Sequence, residues 1–167
     1  MSLRKTTFLP FVLLLAAGTA WATFNYAYGA DEYATIYHGV SPNERLAITT
    51  HGDGESGYVH FHPSLFDAVA GKKIGPLEEI SEVLDTGAGA YAARWKTDSS
   101  EATIVYRVDR HTPLKAMIYR FAKGQAFPLT RHPVDLRDND PLSQLYVESA
   151  QGNHSPDRVF GMPKPHQ

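Results

Sequence analysis

Ala102-Thr-Ile-Val-Tyr-Arg-Val-Asp109 and Lys115-Ala-Met-Ile-Tyr-Arg-Phe-Ala122, joined by Arg110-His-Thr-Pro-Leu114, decide the fold. In the first segment Ile104, Tyr106 and Val108 alternate with Val105, Arg107 and Asp109; in the second Met117, Tyr119 and Phe121 take one face. A side-chain period of two, rich in β-branched and aromatic residues and broken by a Pro-containing turn, spells a β-hairpin. Arg45–Thr50 and Gly57–His62 form a second such pair across the glycine-rich run His51-Gly-Asp-Gly-Glu-Ser56. Tyr33–His38, Tyr91–Lys96 and Ala126–Thr130 read as further strands. The fold class is therefore mainly β, with antiparallel sheets of short strands arranged as two blade-like sheets, a sandwich or one curled sheet.

One segment departs from the period of two. Pro76-Leu-Glu-Glu-Ile-Ser-Glu-Val-Leu-Asp85 spaces Leu77, Ile80, Val83 and Leu84 helically, with Pro76 suited to a first helical position and Gly87 to a C-terminal cap. The spacing predicts a short helix over 76–85, and Ser64–Ala70 reads as a further helical turn capped by Ser64. After Val147 the apolar pattern stops, so residues 148–167, polar and proline-rich, are expected to form a loose tail.

Outward from this β unit, the N-terminus has the grammar of a secretory leader. Arg4 and Lys5 precede an apolar run from Phe8 to Gly18, and Ala20-Trp-Ala22 offers small residues at a cleavage site. That run is about eleven residues long, short of the roughly 20 needed to span a bilayer. The expected product is a periplasmic or secreted protein with no stable membrane anchor after cleavage near Ala22, leaving a single domain over 23–147. The chain has no Cys, so neither a lipidated cysteine nor a disulfide contributes, and burial alone holds the domain. Loss of Arg4 and Lys5 takes 16 basic residues to 14 against 18 acidic, a net charge of −4 with His neutral. That balance offers no basic field for nucleic acid.

Two polar turns echo one another. Ser41-Pro-Asn-Glu-Arg-Leu-Ala-Ile48 resembles the S-P-D-G-R-x-A turn of the WD40-like propeller repeats of TolB-like periplasmic proteins. Trp95-Lys-Thr-Asp-Ser99, leading into Ile104, resembles the W-S-P-D-S form, with Lys96 and Thr97 where Ser and Pro are usual. The resemblance implies about two units, each a four-stranded antiparallel sheet, and a role as a protein-interaction platform. A closed propeller needs four or more blades, so this chain is too short for one.

Three sets of residues carry the functional options. His60 and His62 stand at i and i+2 on one strand, with His51 across the hairpin; zinc or copper suits such nitrogens. The same two histidines equally read as the wet face of a strand whose Val59 and Phe61 enter the core. Arg107, Asp109 and His111 form the densest polar cluster, in which a carboxylate orients a histidine as general base or the residues form a surface ion pair. Tyr26, Tyr28, Tyr33 and Tyr37 crowd the mature N-terminus, as a partner-binding strip or as the cover of a sheet. The leading expectation is a non-catalytic module that binds an envelope protein. A periplasmic metal-binding protein is the alternative, and a small hydrolase the third reading.

Overall fold

The computed structural model describes residues 32–52, 60–81, 83–84, 90–109, 111–137, 139–151 and 156–161. The expected leader and cleavage site, Tyr26 and Tyr28 lie outside them. Among the described residues the chain is mainly β with one short helix. The strands are β1 (Glu32–Val40), β2 (Leu46–Gly52), β3 (His60–Asp67), β4 (Lys72–Pro76), β5 (Val83–Leu84) and β6 (Tyr91–Trp95). They continue with β7 (Glu101–Tyr106), β8 (Lys115–Ala122), β9 (Gln125–Pro128), β10 (Val134–Asp135) and, after the helix α1 (Pro141–Gln151), β11 (Val159–Gly161). Among the described residues no helix is long and apolar enough to cross a membrane.

All eleven strands join one curled sheet, ordered β10-β8-β7-β6-β1-β2-β3-β4, with β9 also on β8, β5 on β3 and β11 on β1. It is two four-stranded antiparallel meanders, β1 to β4 and β6 to β9, set edge to edge. Their seam is a parallel pair at Tyr37↔Ala92. The alternation in the deciding hairpin is the reason the core forms where it does. Ile104, Tyr106, Met117, Tyr119 and Phe121 face inward together with Ile36, Ile48, Leu65, Leu77, Ile80, Tyr91 and Ala93. Tyr33, Ala47, Phe66 and Ala68 form a second, smaller cluster with Phe160.

A bulge makes the seam. β1 pairs β2 at Thr35↔Thr49 and again at Val40↔Ala47, so four residues of β1 stand against one of β2. His38 takes a left-handed φ of 53° there, and its carbonyl accepts the indole N–H of Trp95 at 3.1 Å. The bend turns the second half of β1 onto β6.

The helix expected at 76–85 does not form. Pro76 ends β4 opposite Ser64, the Leu77 N–H donates to the Pro63 carbonyl at 2.9 Å, and Ile80 closes a single turn onto Leu77. Val83 and Leu84 then pair with Phe61 and His60. Ladder bonds on both flanks outcompete a helix too short to propagate alone. Leu77 and Ile80 still fill the core, from a turn. Nor is Ser64–Ala70 helical: β3 runs to Asp67, whose carboxylate caps the turn to β4 by accepting the Val69 and Ala70 N–H groups at 2.9 and 2.8 Å.

The helix stands at Pro141–Gln151 and spans the boundary at 147 where a tail was expected to begin. Asp140 caps it, its carboxylate accepting the Leu142 N–H at 2.8 Å, with Pro141 at the first helical position. Leu145 and Ser149 are buried, and the Ser149 hydroxyl donates to the Tyr91 carbonyl at 3.4 Å. Residues 156–161 are likewise packed on the sheet through β11, because Phe160 has an aromatic slot to fill.

Candidate functional site

Each anticipated site takes a definite place. His51 stands directly opposite His62 in the β2–β3 ladder, and His60 pairs with Leu84. The side chains of His51 and His60 lie outside the described residues. Among the described residues no three metal-ligating side chains gather.

Asp109 serves its own turn. Its carboxylate accepts the backbone N–H of His111 at 2.7 Å. Thr112 closes the same turn, donating its hydroxyl to the Asp109 carbonyl at 3.0 Å and accepting the Asp109 N–H at 3.2 Å. Asn and Asp side chains bond the backbone two residues on wherever such turns form. Arg107 points elsewhere, its guanidinium 5.5 Å from the ring centre of Tyr146 on α1. The three polar residues therefore bridge a turn and a helix contact.

Of the tyrosines, Tyr33 is buried. Its ring lies 4.8 Å from Phe66, and its hydroxyl accepts the Lys73 ammonium at 3.2 Å, which also stands 4.9 Å over the ring. Tyr37 is half-buried and packs 4.1 Å from the His38 ring.

Sequence reading missed a polar knot inside the curl. Tyr91, Tyr106 and Tyr119 are the largest fully buried side chains, and they converge on the turn that replaced the expected helix. Tyr119 donates to the Glu79 carboxylate at 2.8 Å, and Tyr91 to the Ser81 carbonyl at 3.3 Å. Tyr106 lies near Ser81 with no well-formed hydrogen bond from its hydroxyl. Burial, and then the adjacent Glu79 carboxylate, push the Tyr119 phenol far above the ordinary tyrosine range. Burial raises Tyr106 as well. Both phenols stay protonated at any physiological pH, so they act as hydrogen-bonding posts.

The two ends of the sheet differ. β4 carries Lys72, Lys73 and Pro76 around the exposed Ile74, residue types that discourage strand addition. The opposite end, where β9 and β10 line β8, exposes Phe127 (46%), Leu129 (43%) and Val134 (53%). Three large apolar side chains within eight positions, along an edge that no described strand covers, form a candidate interaction strip. The turn after Lys123-Gly124, both at positive φ, starts the strip. The Lys115–Asp135 ion pair at 2.7 Å ties β10 to β8 and holds its far end.

Comparison of the chain with protein-family models, with curated proteins and with solved structures finds no match.

Proposed function

We propose that this is an exported, non-catalytic binding module of the bacterial envelope that holds a protein partner along its β9–β10 edge. The apolar strip of Phe127, Leu129 and Val134 on that edge carries the reading. Exposed apolar side chains on an outer strand give a partner apolar area to bury. The buried tyrosine knot supports a rigid scaffold behind the edge. The resemblance of the two turns to WD40-like repeats, whose members act mainly as interaction platforms, points the same way.

A photo-crosslinking side chain placed at Phe127, Val134 or Val69 of the full chain, irradiated in its own envelope, tests the edge. Adducts with one discrete partner at 127 and 134, but not at 69, are the expected result. Equal adducts at Val69, which is exposed on the turn beyond β3, would overturn the reading. The metal-binding reading rests on the His51↔His62 register alone; zinc and copper titration of the mature protein, without heat at micromolar metal, removes it.

A further inference from the structure

We infer that β11 is an exchangeable ligand of the β1 edge, and that a second copy of this chain supplies it in a strand-swapped dimer. This inference does not depend on the β9–β10 reading, because it uses a different edge.

β1 divides its outer edge between two neighbours. Its second half meets β6 at Tyr37↔Ala92, while its first half meets β11 at Glu32↔Gly161, Tyr33↔Phe160 and Ala34↔Val159. Without β11, the first half of β1 is an open strand edge beside an aromatic slot. Three elements recognise the segment that fills it. The first is the backbone ladder, extended at Thr35, whose N–H donates to the Arg158 carbonyl at 3.0 Å. The Thr35 hydroxyl accepts the Arg158 N–H, also at 3.0 Å. The second is the slot, where the Phe160 ring stacks 5.1 Å from Phe66, itself against Tyr33. The third is a charge hook, the Arg158 guanidinium at 2.8 Å from the Glu44 carboxylate. Together they read an extended Arg-x-Phe segment.

These contacts belong to the first meander and its turns: Glu32 to Thr35, Glu44 and Phe66. The helix preceding β11 belongs to the other meander, since Ser149 is bonded to Tyr91 and the Arg94 guanidinium donates to the Pro141 carbonyl at 3.4 Å. β11 thus reaches from one unit to the other. Moving it to a second copy leaves both meanders and α1 packed as they are and recreates every recognition contact in trans. Exchange of an identical element costs little beyond concentration. The segment is also lightly held. Val159 and Gly161 are exposed, and the Glu44 side chain that hooks Arg158 is 72% exposed, the profile of an element that opens before the core does. The occupant is assigned to a second copy because this chain's own Arg158–Gly161 is the segment whose fit the structure displays.

The chain has no Cys, which makes cysteine trapping clean. Glu32 and Gly161 are Cα partners, and a side chain at 161 meets open space. Facing positions of an antiparallel pair fall within disulfide reach. Glu32→Cys and Gly161→Cys are made singly in the full chain, mixed, left to exchange, and oxidised. The expected product is a covalent heterodimer, at about tenfold excess over a mixture of Val69→Cys with Gly161→Cys. The double variant is expected to give covalent dimers beside internally closed monomers. Only closed monomers, with no heterodimer above the mismatched mixture, would overturn the exchange. Light scattering of the unmodified chain supplies a readout free of folding artefacts: a dimer fraction rising with concentration supports the swap, and a monomer at every concentration refutes it. Capture by Glu32→Cys of a segment from a different envelope protein, without self-linkage, would also refute it and assign the groove to a foreign strand.

Discussion

Gly39→Ala is expected to strike the seam between the two meanders. A methyl group on Gly39 would stand 2.5 Å from the Ile48 carbonyl oxygen, 2.9 Å from the Ile36 carbonyl oxygen and 3.0 Å from Ile36 Cγ1. The two shortest contacts are to backbone atoms, so no rotamer change relieves them. β1 and β2 would have to separate beside Ile36 and Ile48, which are fully buried. Overpacking a well-packed interior costs about 1–3 kcal/mol. A loosened backbone hydrogen bond next to the bulge adds about 1 kcal/mol. We therefore expect a loss of about 3 kcal/mol, and for a domain of this size a melting point lower by about 10 °C. The assay is thermal unfolding of the protein followed by circular dichroism, with Gly75→Ala as control, since a methyl group at Gly75 meets nothing within 4 Å. A Gly39→Ala protein melting within about 2 °C of the parent would refute the argument. So would an equal loss in the control.

Two further expectations concern the interior knot and the acid limb. Tyr119→Phe removes the donor to Glu79 at the 77–81 turn; a bond to a charged acceptor contributes about 1.5–3 kcal/mol, so the urea midpoint should fall accordingly, and an unchanged midpoint would show that the turn is held without this bond. Glu101 accepts bonds from Lys96 at 2.6 Å and Arg120 at 3.2 Å, and these hold its carboxyl below its ordinary value. A carboxyl depressed in the folded state stabilises the protein above its unfolded pKa, near 4.5, and that stability is lost as pH falls through the folded value. Glu101→Gln should therefore unfold more easily than the parent at pH 6, with the gap closing below about pH 4; a gap independent of pH would contradict the assignment.

The deciding hairpin was legible in its pairing but not in its ends: β7 stops at Tyr106, so Val108 and Asp109, read as strand, lie in the connection to β8. The side chains that sequence alone placed on one face, Ile104, Tyr106, Met117, Tyr119 and Phe121, are those of the main core. The stretch at 76–85 was not legible. Leu77 and Ile80 are three apart in a helix and equally three apart in a single turn, so spacing could not separate the two. The deciding facts, the Pro63 carbonyl and the β3 edge, lie elsewhere in the chain. The true helix did carry a local signal in Asp140-Pro141 followed by Leu142, Leu145, Tyr146 and Ser149, an N-cap, a first-turn proline and one packed face. Of the candidate sites, Asp109 and His111 share one turn. What sequence could not tell is that the carboxylate bonds a backbone N–H in its own turn. The β9–β10 strip was invisible because Phe127, Leu129 and Val134 look like core residues until the strand order places them on an edge that no described strand covers.

The faint echo between the two turns has a physical origin, which also explains why it is faint. Glu44 and Ser99 hold corresponding left-handed positions, at φ 56° and 62°. In each turn that residue's N–H bonds back three positions, to Ser41 and to Lys96 respectively. Neither is glycine, so each conformation costs about 1 kcal/mol and requires support. The turns support one another, the Asn43 N–H donating to the Ser99 hydroxyl at 3.1 Å. That contact is possible because β1 and β6 run parallel at the seam and their turns emerge at the same end. Two meanders joined through parallel first strands are related by a half-turn about the strand direction, which exchanges the faces of the sheet. Ala47 accordingly packs in the smaller cluster, while its counterpart Ala102 packs in the main core. Phe66, the ladder partner of Ala47, and Tyr119, the ladder partner of Ala102, divide in the same way. Equivalent positions therefore meet different surroundings, while the two turns, in contact with each other, share one geometry. The smaller cluster created by this inversion is the slot that Phe160 fills, so the groove read by β11 is a consequence of how the two halves meet.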